Sequence, residues 1–254
     1  TLLVPEAFTE DQAEELYTQV LDACTAIDVT LIGGHSEVTY GIDRPIVSGT
    51  MLGEVARDRL VRTGGAQDGD SIVVTKGIAI EGTALLARER ADDLRKAGVS
   101  DDTITLSAEL LINPGISILT DARIACTNAQ IHSMHDVTEG GLITGLREIA
   151  AASGLGLAVE EGSMPILEST AAVCQALDLD PLGLLASGAL LITLPSSDVP
   201  SLLSSLEKRG IDCWEIGMMM APEEGLVYIS REGEVSLPQF SRDELARYFS
   251  RTSA

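Results

Sequence analysis

SMHDVTEGGLITGL, residues 133–146, gathers an imidazole (His135), two carboxylates (Asp136, Glu139) and a hydroxyl (Thr138) ahead of Gly140 and Gly141, then turns apolar at helical spacing. A helix beginning near Gly140 presents unpaired N–H groups and the positive end of its dipole, which together suit a phosphate. The paired glycines leave the backbone open to close approach. Asp136 and Glu139 would repel a bare phosphate, and Mg²⁺ between them removes that conflict, because the ion takes carboxylate and phosphate oxygens together. The bland reading is equally consistent with the spacing: Asp136 or Thr138 caps the helix and Glu139 complements its dipole.

Outward from this stretch the chain alternates. Toward the C-terminus, LGLAVEE reads as a strand, ILESTAAVCQAL as a helix, GALLITLP as a strand, SDVPSLLSSLEKRG as a helix closed by Gly210, DCWEIGMM and GLVYIS as strands, and SRDELARYFSR as a terminal helix. Toward the N-terminus, residues 103–129 read as two helical pieces broken at NPG, EGTALLARERADDLRKA as one helix and SIVVT as a strand. A charged, glycine-containing junction at 56–70 marks a domain boundary, giving residues 1–60 and 61–254. In the first part Thr9 and Gln12 form a capping box for a helix over 10–27, VTLI (29–32) is a strand that stops at GGHSEVTYG, and RPIVSGTMLGEV is a second strand. Strands alternating with helices imply a layered α/β or α+β domain. Thr1 is not a methionine, and the expectation is a fragment whose first part is missing.

Composition narrows the classes. At 45% hydrophobic and 22% charged the 254-residue chain is of globular type, and with 3% aromatics its core must be Leu, Ile, Val and Ala. A net charge of −22 opposes nucleic acid and anionic membrane as partners. There is no run of about 18 apolar residues. Cys24, Cys126, Cys174 and Cys213 are far apart and embedded in apolar patterns, which reads as buried thiols of a cytoplasmic protein.

Three further stretches end strands or start helices at glycine. IGGHSEVT (32–39) offers Gly33, Gly34, His35, Ser36 and Glu37 without the GK[ST] of a P-loop. TKGIAIEGTALLA (75–87) resembles an anion-binding corner, with Lys76 either facing a phosphate or solvated at a strand end. LLASGALLITLP (184–195) places Ser187-Gly188 before a strand. His132 and His135, three apart, could share one side of a turn but lack a third metal ligand.

In this order the four stretches resemble the superfamily of aminoimidazole ribonucleotide synthetase, selenophosphate synthetase, thiamine-monophosphate kinase and the hydrogenase maturation protein HypE. GGHS followed by PIVSGTMLGEV is similar to selenophosphate synthetase, HDVTEGGL to its DVTGFGL and to the RDATRGG of HypE, and DPLGLLASGALLITLP to the corresponding HypE stretch. GAQDGDSIVVT matches the opening strand of the family's second domain. Across the whole chain the likeness is greatest to HypE.

The resemblance implies an α+β, PurM-like two-domain fold, with a partial N-terminal domain that builds a β-barrel in a homodimer and a C-terminal layered α/β domain. It implies ATP and Mg²⁺ as cofactors, a small acceptor, a partner maturation protein of the hydrogenase pathway, and phosphoryl transfer or an ATP-dependent dehydration. It makes Asp136 and His35 the catalytic candidates, Asp136 and Glu37 the metal ligands, and Gly33, Gly34, Ser36, Thr138, Glu139, Gly140 and Gly141 the nucleotide-binding residues. Departures are visible. The chain ends SRTSA where HypE ends in its substrate-carrying cysteine; His35 stands where HypE has an aspartate; Ser187 replaces a glutamate; and the acidic stretch of the first domain is absent. A non-catalytic dimeric scaffold and a selenophosphate synthetase-like enzyme therefore stand as alternatives.

Overall fold

The structure, a computed structural model, describes residues 1–252; Ser253 and Ala254 of the SRTSA ending lie outside the described residues. The chain divides into two compact units, Thr1–Leu60 and Val61–Ala254.

In the first unit β1 (Leu2–Pro5) is followed by α1 (Glu10–Ala26), β2 (Ser36–Thr39) and β3 (Ile46–Val47). Thr9 and Gln12 close the capping box at the start of α1. The sheet order is β2-β1-β3, β1 running parallel to β2 and antiparallel to β3, with no closed barrel among the described residues. VTLI is not a strand here. The chain is irregular from Val29 to His35, and the strand begins at Ser36, inside the stretch read as its end. The reason is pairing: Leu2 to Pro5 find their parallel partners at Ser36 to Thr39. Pro5 alone in this unit is buried among the described residues, while Ile32, Leu52 and Tyr40 are 85%, 81% and 79% exposed.

The second unit contains β4 (Asp70–Thr75), α2 (Ile80–Glu89), α3 (Ala91–Lys96), α4 (Asp101–Glu109), α5 (Leu119–Asn128), β5 (Ser133–Asp136), α6 (Gly141–Ser153), β6 (Gly156–Glu160), α7 (Glu168–Leu177), β7 (Leu190–Pro195), α8 (Val199–Glu207), β8 (Cys213–Met220), β9 (Leu226–Ser230), β10 (Gly233–Ser236) and α9 (Glu244–Thr252). The strands form one sheet in the order β10-β9-β6-β8-β4-β7-β5, with every pair antiparallel except β6 with β9.

Strand periodicity assigns the two faces. On β4, Ile72 and Val74 join Leu142, Leu146 and Ile149 of α6 in one core, and Val73 faces the other side, where Leu190, Ile192 and Leu194 of β7 meet Leu202 and Leu206 of α8. Covered on both faces, β4 is buried along its whole length, which is why Ile72, Val73 and Val74 are apolar in succession rather than alternating with polar residues. Each fully buried Leu or Ile contributes roughly 1.5–3 kcal/mol, an upper bound set by the extended-chain reference. A third core joins α2, α3, α4, α7 and α9 through Leu86, Leu94, Ile104, Val173 and Tyr248. Among the described residues no single helix is long and apolar enough to cross a membrane.

Candidate functional site

Three of the four stretches singled out in the sequence converge in the second unit. The Ala186 N–H donates to the Thr138 carbonyl at 3.2 Å, and the Val137 N–H to the Ala189 carbonyl at 3.2 Å. The Gly82 N–H donates to the Leu185 carbonyl at 2.9 Å, and the Leu190 N–H reaches the Thr75 hydroxyl at 3.3 Å. Residues 182–190 are therefore the seam against which the starts of α2 and α6 are both sewn. Gly33, Gly34, His35, Ser36 and Glu37 belong to the first unit.

The quoted motif begins as a strand, not as a turn. β5 is the outer strand of the sheet, paired to β7 from Ser133↔Thr193 to Asp136↔Leu190. This overturns the common side proposed for His132 and His135, since residues three apart project to opposite faces of an extended chain. His132 places Nδ1 2.8 Å from the buried Asp70 carboxylate, and His135 places Nε2 2.7 Å from Glu148 on α6. Both imidazoles are structural ties.

Asp136 ends β5 with its side chain exposed, and Glu139 is exposed two residues before α6 begins. The cap of α6 is Gly140, in the left-handed conformation at φ 76° and with no capping side chain of its own, so neither Asp136 nor Thr138 is the cap. The cap donor is used from elsewhere: the Gly140 N–H donates to Asp243 Oδ2 at 2.6 Å. Gly141 serves packing. At φ 67°, a Cβ on it would stand 2.5 Å from the Leu182 carbonyl oxygen and 2.8 Å from the Gly183 carbonyl carbon. The helix start thus already holds a carboxylate, one that sequence reading missed. Its only trace is Asp243 preceding the amphipathic helix α9, a pattern that predicts a local cap and nothing about α6.

Lys76 is neither solvated nor turned to an open anion site. It is 5% exposed, at φ 62°, with Nζ 3.4 Å from Asp121 Oδ2 and 2.7 Å from the Ser117 carbonyl. Burial lowers its pKa, and the Asp121 carboxylate partly restores it.

In the first unit Ser36 and Glu37 lie on β2, and His35 Nε2 stands 3.4 Å from Glu37 Oε2 with both side chains exposed. Gly33 and Gly34 have open space where a Cβ would be.

Among the described residues no three His, Cys, Asp or Glu side chains cluster closely enough to cage a metal. Asp136 and Glu139 fit the other habit of Mg²⁺, one or two protein carboxylates completed by water and phosphate oxygens. Imidazole is a poor partner for that ion, so His35 does not fit as a ligand.

The sequence matches two family models: that of the AIR synthase related protein, C-terminal domain, over residues 67–229, and that of the corresponding N-terminal domain over residues 1–55. It is 28% identical over 229 residues to a candidate hydrogenase expression/formation protein of Methanocaldococcus jannaschii, covering 89% of this chain and 65% of that one. It is 26% identical over 211 residues to carbamoyl dehydratase HypE of Cupriavidus necator, covering 81% and 56%. The chain therefore spans less than two thirds of the length of either relative. The crystal structure of hydrogenase maturation protein HypE in complex with ATP superposes with a TM-score of 0.71 at 21% identity, over 96% of this chain and 73% of that one, a likeness of fold.

Proposed function

This chain belongs to the AIR synthase related protein family, and from that premise we propose that it is part of a HypE-like, ATP-dependent enzyme that binds Mg-ATP and drives phosphoryl transfer or dehydration on a small acceptor. The observation that carries the reading is Asp136: an exposed carboxylate at the end of β5, beside the start of α6, at the seam where three glycine-containing segments meet. Such chemistry is largely positioning and charge neutralisation. Mg²⁺ would supply the neutralisation, held by Asp136 and Glu139. Since Asp243 already takes the Gly140 N–H, the phosphates are held through the carboxylate side of the junction rather than on the cap donor itself.

The reading includes a homodimer, a partner maturation protein and a cytoplasmic location. The dimer is supported by the first unit. Its sheet has three strands and almost no core, and it exposes Ile32, Tyr40, Met51 and Leu52, apolar surface of the kind a second copy covers. A non-catalytic dimeric scaffold is the second reading, favoured by His35 where HypE has an aspartate.

Isothermal titration of Mg-ATP into the full-length gene product separates the two. Saturable binding that weakens at least about tenfold in Asp136→Ala supports the enzyme, a tenfold change being about 1.4 kcal/mol. No binding, or binding that Asp136→Ala leaves unchanged, overturns it in favour of the scaffold.

A further inference from the structure

The second unit holds a cavity that the nucleotide reading does not use. Its volume is about 360 Å³, at the small end of the range for small-molecule sites. Glu161, in the short turn after β6, and Asp180, in the turn after α7, bring carboxylates to it; Met164, Ile166 and Leu182 give it apolar walls; and Tyr228 of β9 lines it.

Tyr228 is the unusual member. It is 7% exposed, and its ring is built into the core beneath α6. A phenol so deeply placed normally finds a hydrogen-bond partner, yet among the described residues its hydroxyl has none. The hydroxyl is not sealed off, since the residue lines the cavity. The carboxylates are half-used. Asp180 Oδ1 accepts the Leu182 N–H at 2.9 Å and Glu161 Oε2 accepts the Arg231 N–H at 3.3 Å, which leaves one oxygen of each without a hydrogen bond among the described residues. No Lys or Arg lines the cavity. Arg247, whose charge acts on Asp180, is held by Glu244 and the Asp178 carbonyl. Desolvation, then the negative fields of Glu161 and Asp180, raises the pKa of Tyr228, so the phenol stays neutral and can accept a hydrogen bond.

Two carboxylates and a phenol over apolar walls do not suit a metal ion, which needs more hard donors or retained water. They suit a cation that carries its own apolar surface. We propose that this cavity is a binding site for an organic cation, a primary ammonium or guanidinium on a short apolar stem. Its charge sits between Glu161 and Asp180, its stem lies on Met164, Ile166 and Leu182, and one N–H donates to the Tyr228 hydroxyl. The proposal stands whether or not Asp136 binds nucleotide.

The test is isothermal titration of the full chain with agmatine and with n-pentylammonium, at about 0.15 M salt to screen general attraction to an acidic surface. 1-Pentanol is the uncharged control. Saturable one-site binding of both cations is expected, with none for the alcohol. Glu161→Gln and Asp180→Asn, both at exposed side chains and the second keeping an oxygen for the Leu182 N–H, should each weaken binding about tenfold or more. Tyr228→Phe should weaken it severalfold, and Asp102→Asn, at an exposed position of α4, should change nothing. The absence of saturable binding, binding as tight as the parent's in both carboxylate variants, or an equal loss in Asp102→Asn overturns the proposal.

Discussion

The Asp243 carboxylate accepts the Gly140 N–H at 2.6 Å across 103 residues of chain, while its other oxygen accepts the Leu245 N–H at 2.7 Å. One side chain therefore satisfies a donor at the start of α6 and another at the start of α9. Both are positive helix ends, so the negative charge is favoured twice.

Asp243→Ala removes both contacts and leaves the buried Gly140 N–H unpaired. The expected loss is about 2 kcal/mol or more, a cap substitution plus the cost of a stranded donor. Asp243→Asn keeps an oxygen for one of the two N–H groups and should lose less. Urea unfolding of the three proteins measures this, and equal midpoints would refute the double-cap account.

What the sequence disclosed and what it concealed divides along sequence separation. The α1 capping box, β4, β7 and α6 were legible because a local pattern specifies each of them. β5 was not, since SMHD is short and polar and becomes a strand only by pairing with β7. The single helix read over 81–97 breaks at Arg90 without a proline or glycine. Arg90 there leaves helical geometry, with its guanidinium over the Phe249 ring at 4.8 Å, a contact 159 positions away. At the site, Asp136 and Glu139 could be singled out from the strand-to-helix junction. Asp243 could not, because nothing near it in sequence points to Gly140.

The Lys76–Asp121 pair shows the same limit and offers a sharper energetic test. Both side chains are buried, and Asp121 Oδ1 has no partner among the described residues. Lys76→Met would strand a buried carboxylate and should cost about 3–5 kcal/mol. The double variant Lys76→Met/Asp121→Leu removes both charges and should recover much of that loss. A double-mutant cycle in urea gives the coupling directly; strictly additive losses would show that the pair is not coupled.

Two thiols set an alkaline limit. Burial raises Cys174 to about 12 and Cys213 to about 11, from an ordinary 9.0, with neighbouring carboxylates adding to each shift. Above pH 9 the unfolded chain loses thiol protons that the folded chain keeps. Their contribution is complete below that pH and declines as the pH rises toward 11 and 12. Lys76, whose pKa is lowered, acts in the opposite sense, so the comparison must be with variants that remove the thiols alone. Between about pH 8 and about pH 10, unfolding free energies of Cys174→Ala and Cys213→Ala should fall less steeply than that of the parent; parallel slopes would contradict the assignment.

Gly141 decides between a glycine kept for a ligand and a glycine kept for packing. Its φ of 67° disfavours any side chain, and a Cβ would meet the Leu182 carbonyl oxygen at 2.5 Å, a backbone atom that cannot rotate aside. Gly141→Ala should therefore cost more than about 2 kcal/mol, from strain at a special backbone angle together with overpacking of the 182–183 segment. Gly33 faces open space, so Gly33→Ala should shift stability by less than about 0.5 kcal/mol. Thermal unfolding of the two variants side by side, with no nucleotide present, gives the answer. A near-native Gly141→Ala would mean that the 182–183 segment can move aside, and that the glycine is held there for something other than packing.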